Sequence, residues 1–199
     1  IIFSIMNNVD KKTFLKINIK SIKKNYKIIK NKIGKNCNIA ATVKADAYGL
    51  GADKIAQELI NTGCKFFFVA TTNEAIQLRR INKKIYIFIL NGLVTNEIEL
   101  IRKYNLIPVI NSLKQLARLE KFQKSKNLNL NIALHFDTGM SRLGFDKNET
   151  NILISKKSRL IIKSKVLLVM SHLACADDRK SLKNKKQLNK FNFIRSHFP

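Results

Sequence analysis

The chain has 199 residues, of which 45% are hydrophobic, so it has enough apolar material for a packed core and is unlike a disordered chain. Its 38 lysines and arginines outnumber its 13 aspartates and glutamates, which gives a net charge of +25. The basic residues are spread along the whole chain without a nucleic-acid-binding motif, so we expect no nucleic-acid partner. The three cysteines lie far apart and do not have the spacing of metal ligands, so we expect a cytoplasmic protein with no metal site. No apolar run approaches the ~20 residues of a membrane helix, so we expect no membrane association.

The first predicted element is a helix over about residues 21–32, with Ile22, Tyr26 and Ile29 on one face. Short apolar runs rich in Ile, Val and Phe then alternate with segments of helical spacing. Ser112 and Asn73 are plausible N-caps of two of these helices. Continuous apolar runs bounded by polar residues favour strands that are buried on both faces. The six runs cover residues 39–43, 66–70, 85–90, 107–110, 130–136 and 166–171.

This alternation predicts an α/β fold with a parallel sheet and right-handed crossovers. It fits about six strands of a (β/α)8 TIM-type barrel, and a doubly wound sheet is the alternative. A full barrel usually takes ~250 residues, so we expect this one to be incomplete. No linker or domain boundary is visible within residues 1–199.

The segment at residues 40–51 (AATVKADAYGLG) carries the strongest chemical signal. Lys44 closes an apolar strand, and the carboxyl ends of barrel strands face the active site. Partial removal from water there favours the free amine that Schiff-base chemistry requires. Tyr48 follows on the loop, where it can hydrogen-bond an anion. Gly49 and Gly51 open the next helix, whose N-terminus favours phosphate. Taken alone, Lys44 is equally typical of a lysine that reaches solvent from a strand end.

The complete string at residues 43–51 resembles the cofactor-lysine signature of the alanine racemases. Residues 14–18 followed by Asn25 and Tyr26 resemble the opening strand and helix of that family. Residues 69–75 resemble its second strand and helix, and residues 108–112 resemble its fourth strand. The resemblance implies that Lys44 carries pyridoxal 5'-phosphate and that residues 1–199 are the N-terminal part of the cofactor-binding barrel, without the C-terminal β domain.

A second cluster lies at residues 135–145 (HFDTGMSRLGF). Its Asp-Thr-Gly also occurs in aspartic proteases, but those need a second carboxylate and a β-rich body, which an α/β chain with one copy lacks. Taken alone, Arg142 is a loop cation. The resemblance implies that Arg142 reaches the cofactor's phenolic oxygen and the substrate carboxylate, for which a planar guanidinium is well suited.

The chain departs from the family pattern at His135. Many alanine racemases carry a lysine at this position, which can be carbamylated and then braces the arginine. We therefore expect Arg142 to be oriented by another partner or by the imidazole itself. The alternative is that His135 is a strand-end histidine satisfied by backbone groups.

The third cluster is the segment at residues 170–178, which contains His172. Alone, such a histidine is more often a core residue, but the resemblance implies that His172 packs against the pyridine ring. The family's strand-7 serine, a later arginine and a tyrosine on the β domain complete its active site, and no counterpart lies within residues 1–199. We therefore expect this chain alone to be inactive and the full-length protein to be a homodimer.

The function implied is interconversion of L-alanine and D-alanine, which supplies D-alanine for bacterial cell-wall peptidoglycan. In the family, the freed lysine acts on the D-enantiomer and the tyrosine acts on the L-enantiomer. A barrel-fold amino-acid decarboxylase shares a lysine at the end of the first strand, but residues 137–144 and His172 argue against that activity. A non-catalytic protein that binds pyridoxal phosphate is the remaining alternative.

Overall fold

The computed structural model describes residues 15–127, 129–155 and 164–198. Within them, six parallel strands form one sheet in the order β1-β2-β3-β4-β5-β6. The strands are β1 (Ala40–Thr42), β2 (Phe66–Val69), β3 (Tyr86–Ile89), β4 (Ile107–Ile110), β5 (Asn131–His135) and β6 (Lys165–Met170). The helices are α1 (Ile19–Ile33), α2 (Ala52–Asn61), α3 (Thr72–Ile81), α4 (Ile98–Lys103), α5 (Leu113–Lys126), α6 (Lys147–Ser155) and α7 (Leu182–Arg195), with a 3₁₀ turn at Thr95–Glu97.

The strand order confirms an incomplete barrel sheet. Each strand pairs with the next one along the chain, whereas a doubly wound sheet reverses its strand order at a switch point. The doubly wound alternative is therefore wrong. Strands β1 and β6 each have one neighbour within the described part of the chain, so they form the two edges of the sheet.

The two faces of the sheet pack differently. Phe67, Ile87 and Leu134 belong to a large cluster that includes the buried side chains of the helices. On the other face, Phe88 packs in a smaller cluster with residues of β4 and β5, and its ring stacks on Phe68 with centroids 4.9 Å apart. This smaller cluster lies on the inner face of the barrel sheet, which also contributes to the cavity described below.

Three expectations for the elements need correction. All four residues of β4 are buried, but Ala40 and Thr42 of β1 are exposed and β6 is only partly buried, because β1 and β6 are edge strands.

Residues 15–18 are not a strand, and Phe14 lies outside the described residues. Helix α3 is capped by Thr71 rather than Asn73, since Thr71 and Glu74 form a capping box. The predicted cap at Ser112 is confirmed.

A buried arginine joins α3 to the loops that enter β3 and β4. Arg79 is 8% exposed and forms no salt bridge among the described residues. Its guanidinium donates to backbone carbonyls on both loops, and burial lowers its pKa. These carbonyls belong to Asn82, Lys83, Ile85, Tyr104 and Asn105, at 2.7 to 3.3 Å.

None of the described helices is long and apolar enough to span a membrane.

Candidate active site

A cavity of about 410 Å³ lies at the carboxyl ends of the strands. Its volume is within the usual range for small-molecule sites. Strand residues and residues that follow β1, β2, β3, β5 and β6 form its walls. The lining residues are Ala40, Thr42, Lys44, Tyr48, Phe68, Ala70, Leu90, Asn91, His135, Arg142, Leu143, Met170 and His172. The structure thus brings all four predicted site residues, Lys44, Tyr48, Arg142 and His172, to one cavity. A second cavity of about 520 Å³, beside α7, is lined mostly by apolar groups and contains none of them.

Lys44 lies where the sequence predicts it, directly beyond β1. The amide of Val43 donates to the carbonyl of Phe68 at 2.9 Å, which extends the pairing of β1 with β2 to the residue before Lys44. Lys44 is half-buried, and its Nζ atom lies 6.0 Å from the centre of the Tyr48 ring. Tyr48 is 64% exposed, so its hydroxyl is accessible to a ligand.

The backbone after Lys44 forms a left-handed turn, which the sequence did not predict. Ala45, Asp46, Ala47 and Tyr48 all have φ between 51° and 58°. A left-handed helical conformation costs roughly 1–2 kcal/mol for each residue with a Cβ atom. Such strain persists only where the surroundings enforce it, and it is common at active sites.

Glu74 of α3 holds this turn against β2. Its Oε1 accepts from the amide of Ala45 at 2.8 Å, and its Oε2 accepts from the amide of Ala70 at 2.7 Å. Ala47 is 3% exposed, and its amide donates to the carbonyl of Val43. The position of Lys44 is therefore fixed from both sides.

The start of α2 differs in part from expectation. Gly49 and Gly51 have φ of 82° and 85°, which favours glycine at both positions. A Cβ atom on either would meet nothing within 4 Å, so these glycines are not needed to make room for a neighbouring group. The amide of Ala52, the first residue of α2, donates to Asp46 Oδ1 at 2.7 Å. The chain's own carboxylate thus takes up part of the terminus at which we predicted a phosphate.

Asp137 organises the loop that carries Arg142. Its Oδ1 accepts from the amides of Gly139 and Met140 at 2.8 and 2.9 Å, and both of its oxygens accept from the amide of Ser141. Burial alone would raise the pKa of Asp137, but these amides and His135 hold it below its ordinary value. A carboxylate used in this way anchors a loop, which agrees with our rejection of a protease.

The ends of the same loop are closed by Phe145. The amide of Phe145 donates to the carbonyl of His135 at 2.8 Å, and the amide of Asp137 donates to the carbonyl of Phe145 at 3.0 Å. Gly144 has φ of 109°, and a Cβ atom there would lie 2.8 Å from the amide nitrogen of Asp137. Only glycine fits at this crossing, and the closed loop places Arg142 on the cavity wall.

His172 follows β6 and is held through its backbone. Buried Gln187 of α7 donates to the carbonyl of His172 at 3.0 Å and accepts from the amide of Ala174 at 2.9 Å. The pKa of His172 is lowered by partial burial and then by the positive charges of Arg142 and Lys44. Lys44, Arg142 and His172 therefore interact electrostatically across the cavity.

His135 is buried at the end of β5, with only 5% of its surface exposed. Its Nδ1 atom lies 2.8 Å from Oδ1 of Asn111, so the alternative that backbone groups satisfy the ring is wrong. Burial lowers its pKa to about 4, and the nearby charges of His172 and Arg142 act in the same direction. Sequence reasoning missed Asn111 as its partner. The available signal was the alternation of side chains along a strand, which places Asn111 on the same face of β4 as Ile107 and Val109.

The fold and the cavity define a β/α-barrel domain with a lysine at the end of its first strand. The family model described as "Alanine racemase, N-terminal domain" matches residues 17–199, and the chain belongs to this family. The alanine racemase of Rickettsia prowazekii is 39% identical over 186 residues, which are 93% of this chain and 46% of that protein. That of Rickettsia bellii is 42% identical over 166 residues, which are 83% of this chain and 40% of that protein.

A solved structure gives the same result. The crystal structure of alanine racemase from Bartonella henselae with covalently bound pyridoxal phosphate matches with a TM-score of 0.86 and 35% identity. The match covers 92% of this chain and 51% of that chain. The chain therefore spans about half the length of the relatives that it matches.

Proposed function

We propose that this chain is the N-terminal, pyridoxal-phosphate-binding part of an alanine racemase, and that the full-length protein also has a C-terminal β domain. The observation that carries the proposal is the convergence of Lys44, Arg142 and His172 on one cavity at the carboxyl ends of the strands. Membership of the alanine racemase N-terminal domain family supports it. We place the enzyme in the cytoplasm, where it supplies D-alanine for peptidoglycan.

The side chains of the cavity fit pyridoxal phosphate. Lys44 supplies an amine for covalent attachment, and it shares the wall with the second cation, Arg142, which suits a ligand with anionic groups. When bound, this cofactor withdraws electrons from the substrate Cα so that its proton becomes removable. The chain's own residues must then hold the substrate and move that proton.

Each of the four predicted residues has a defined role in the proposal. The Lys44 amine holds the cofactor and, once freed, removes or returns the proton at Cα of D-alanine. Arg142 binds the substrate carboxylate and contacts the cofactor oxygen, His172 packs against the cofactor ring, and Tyr48 hydrogen-bonds its phosphate. Inversion also requires a base on the opposite face of Cα. We propose that a tyrosine from outside residues 1–199, on the partner subunit of a homodimer, supplies it.

A chiral assay on the natural full-length protein tests the function. With pyridoxal phosphate and L-alanine we expect D-alanine to form, and Lys44→Ala should lower the rate by at least ~10³-fold, because attachment and proton transfer are both lost. Lys114→Ala, at an exposed position on α5, is the matched control and should retain the rate. The 199-residue chain alone should form no D-alanine. An undiminished rate in Lys44→Ala would contradict the proposal, and release of CO₂ without inversion would identify a decarboxylase.

A further inference from the structure

The orientation of the Asn111 amide is fixed by its surroundings. Its Nδ2 donates to the carbonyl oxygens of Leu90 and Val109, both at 2.8 Å. The reversed amide would direct Oδ1 at two acceptors, which is unfavourable for a buried group. Oδ1 of Asn111 therefore faces Nδ1 of His135, 2.8 Å away, and can only accept a hydrogen bond.

This orientation determines the tautomer of His135. Nδ1 must carry the hydrogen that Oδ1 of Asn111 accepts, so in the neutral ring Nε2 is left with a lone pair. Nε2 is buried and has no hydrogen-bond partner among the described residues. A buried acceptor of this kind is costly unless a donor reaches it. His135 lines the cavity, so the missing donor belongs on the cavity side.

Of the donors that line the cavity, Arg142 has the most N–H groups. It lines the same wall, and none of the salt bridges among the described residues includes it. Its charge, like that of His172, lowers the pKa of His135. A guanidinium has five N–H groups, so it can bind a carboxylate with two of them and still donate to a ring nitrogen.

We propose that His135 is a positioning residue whose neutral imidazole accepts, at Nε2, a hydrogen bond from the Arg142 guanidinium and so orients it toward the substrate. The inference rests on the proposed function, because it assumes that Arg142 binds the substrate carboxylate. The acceptor that orients Arg142 is then the uncharged imidazole of His135, which Asn111 holds in place. The side chain at this position needs no added carbamate group.

The ring can be observed directly by NMR. The full-length protein, loaded with pyridoxal phosphate and labelled with ¹⁵N-histidine, should give a protonated Nδ1 and an unprotonated, hydrogen-bonded Nε2 for His135 near neutral pH. The resonance is assigned by its loss in His135→Gln. Arg142→Met should move the Nε2 shift toward that of a free lone pair. A protonated Nε2, or a shift unchanged by Arg142→Met, would overturn the proposal. The NMR signal does not depend on turnover. The hydrogen bond can therefore be disproved even if the protein racemises alanine, and it can be observed even if the protein does not.

Steady-state kinetics give a second readout. His135→Leu removes the acceptor and should raise KM for alanine about 10- to 100-fold, the cost of one hydrogen bond to a charged group. His135→Gln places an amide oxygen near the position of Nε2 and should restore KM to within roughly threefold of the wild type. An unchanged KM in His135→Leu, or equal impairment of both variants, would overturn the proposal.

Discussion

The protonation of His135 is a residue-scale feature that affects stability. Its pKa is about 4 in the folded protein, against an ordinary value of 6.5. Burial is the main cause, His172 and Arg142 lower the pKa further, and Asp137 opposes them. The unfolded chain therefore binds more protons than the folded one between these two values. This contribution to stability is therefore complete above about pH 6.5 and is lost progressively as the pH falls from 6.5 to about 4.

We predict that lowering the pH from 7 to 4 removes about 3 kcal/mol of unfolding free energy through this histidine alone. Denaturant titration of the wild type and His135→Gln at both pH values measures the term as the difference between their losses. Equal losses in the wild type and His135→Gln would show that His135 does not titrate as described.

The left-handed turn after β1 is the element that most directly sets the position of Lys44. Ala45 is exposed with φ of 51°, so glycine there should relieve strain without loss of packing. We predict that Ala45→Gly raises the unfolding free energy by about 1 kcal/mol. Ala117→Gly, at an exposed site within α5, should lower it by about 1 kcal/mol. Destabilisation of similar size in both variants would mean that the turn is not strained.

Arg79 gives a second test at the level of elements. Lysine cannot reproduce the planar set of donors that serves carbonyls on two loops, so Arg79→Lys leaves buried carbonyls unpaired. We predict a loss of about 3 kcal/mol in unfolding free energy. The neighbouring Arg80 is exposed, and Arg80→Lys should change stability by less than about 0.5 kcal/mol. Similar losses in the two variants would mean that the hydrogen bonds of Arg79 do not stabilise the fold.

The elements also mark what the sequence can and cannot predict. The six strands follow from apolar runs, since burial between helices and the barrel interior requires them. The turn at Ala45–Tyr48 could not be predicted, because none of its residues is glycine and its conformation depends on Glu74, far along the chain. Lys44, Arg142 and His172 were predicted from local strings, and the structure brings them to one cavity. The pairing of His135 with Asn111 needs β4 beside β5, which only the fold provides.

At the scale of the whole molecule, most of the 38 lysines and arginines have no acidic counterpart, because the chain has only 13 aspartates and glutamates. Salt bridges join only Lys23, Lys54, Arg102 and Lys126 to acidic residues among the described residues. The basic residues are spread along the whole sequence. We therefore predict that, apart from Lys44 and Arg142 at the cavity, this charge reflects composition rather than a binding site.

The central claim is that Lys44 carries pyridoxal phosphate, and one measurement tests it most directly. The natural full-length protein is loaded with the cofactor, reduced with borohydride, digested and mapped by mass spectrometry. We predict that the reduced cofactor is found on the peptide that contains Lys44, and that Lys44→Ala abolishes the label while Lys114→Ala does not. A label on any other lysine of the wild-type protein would contradict the account.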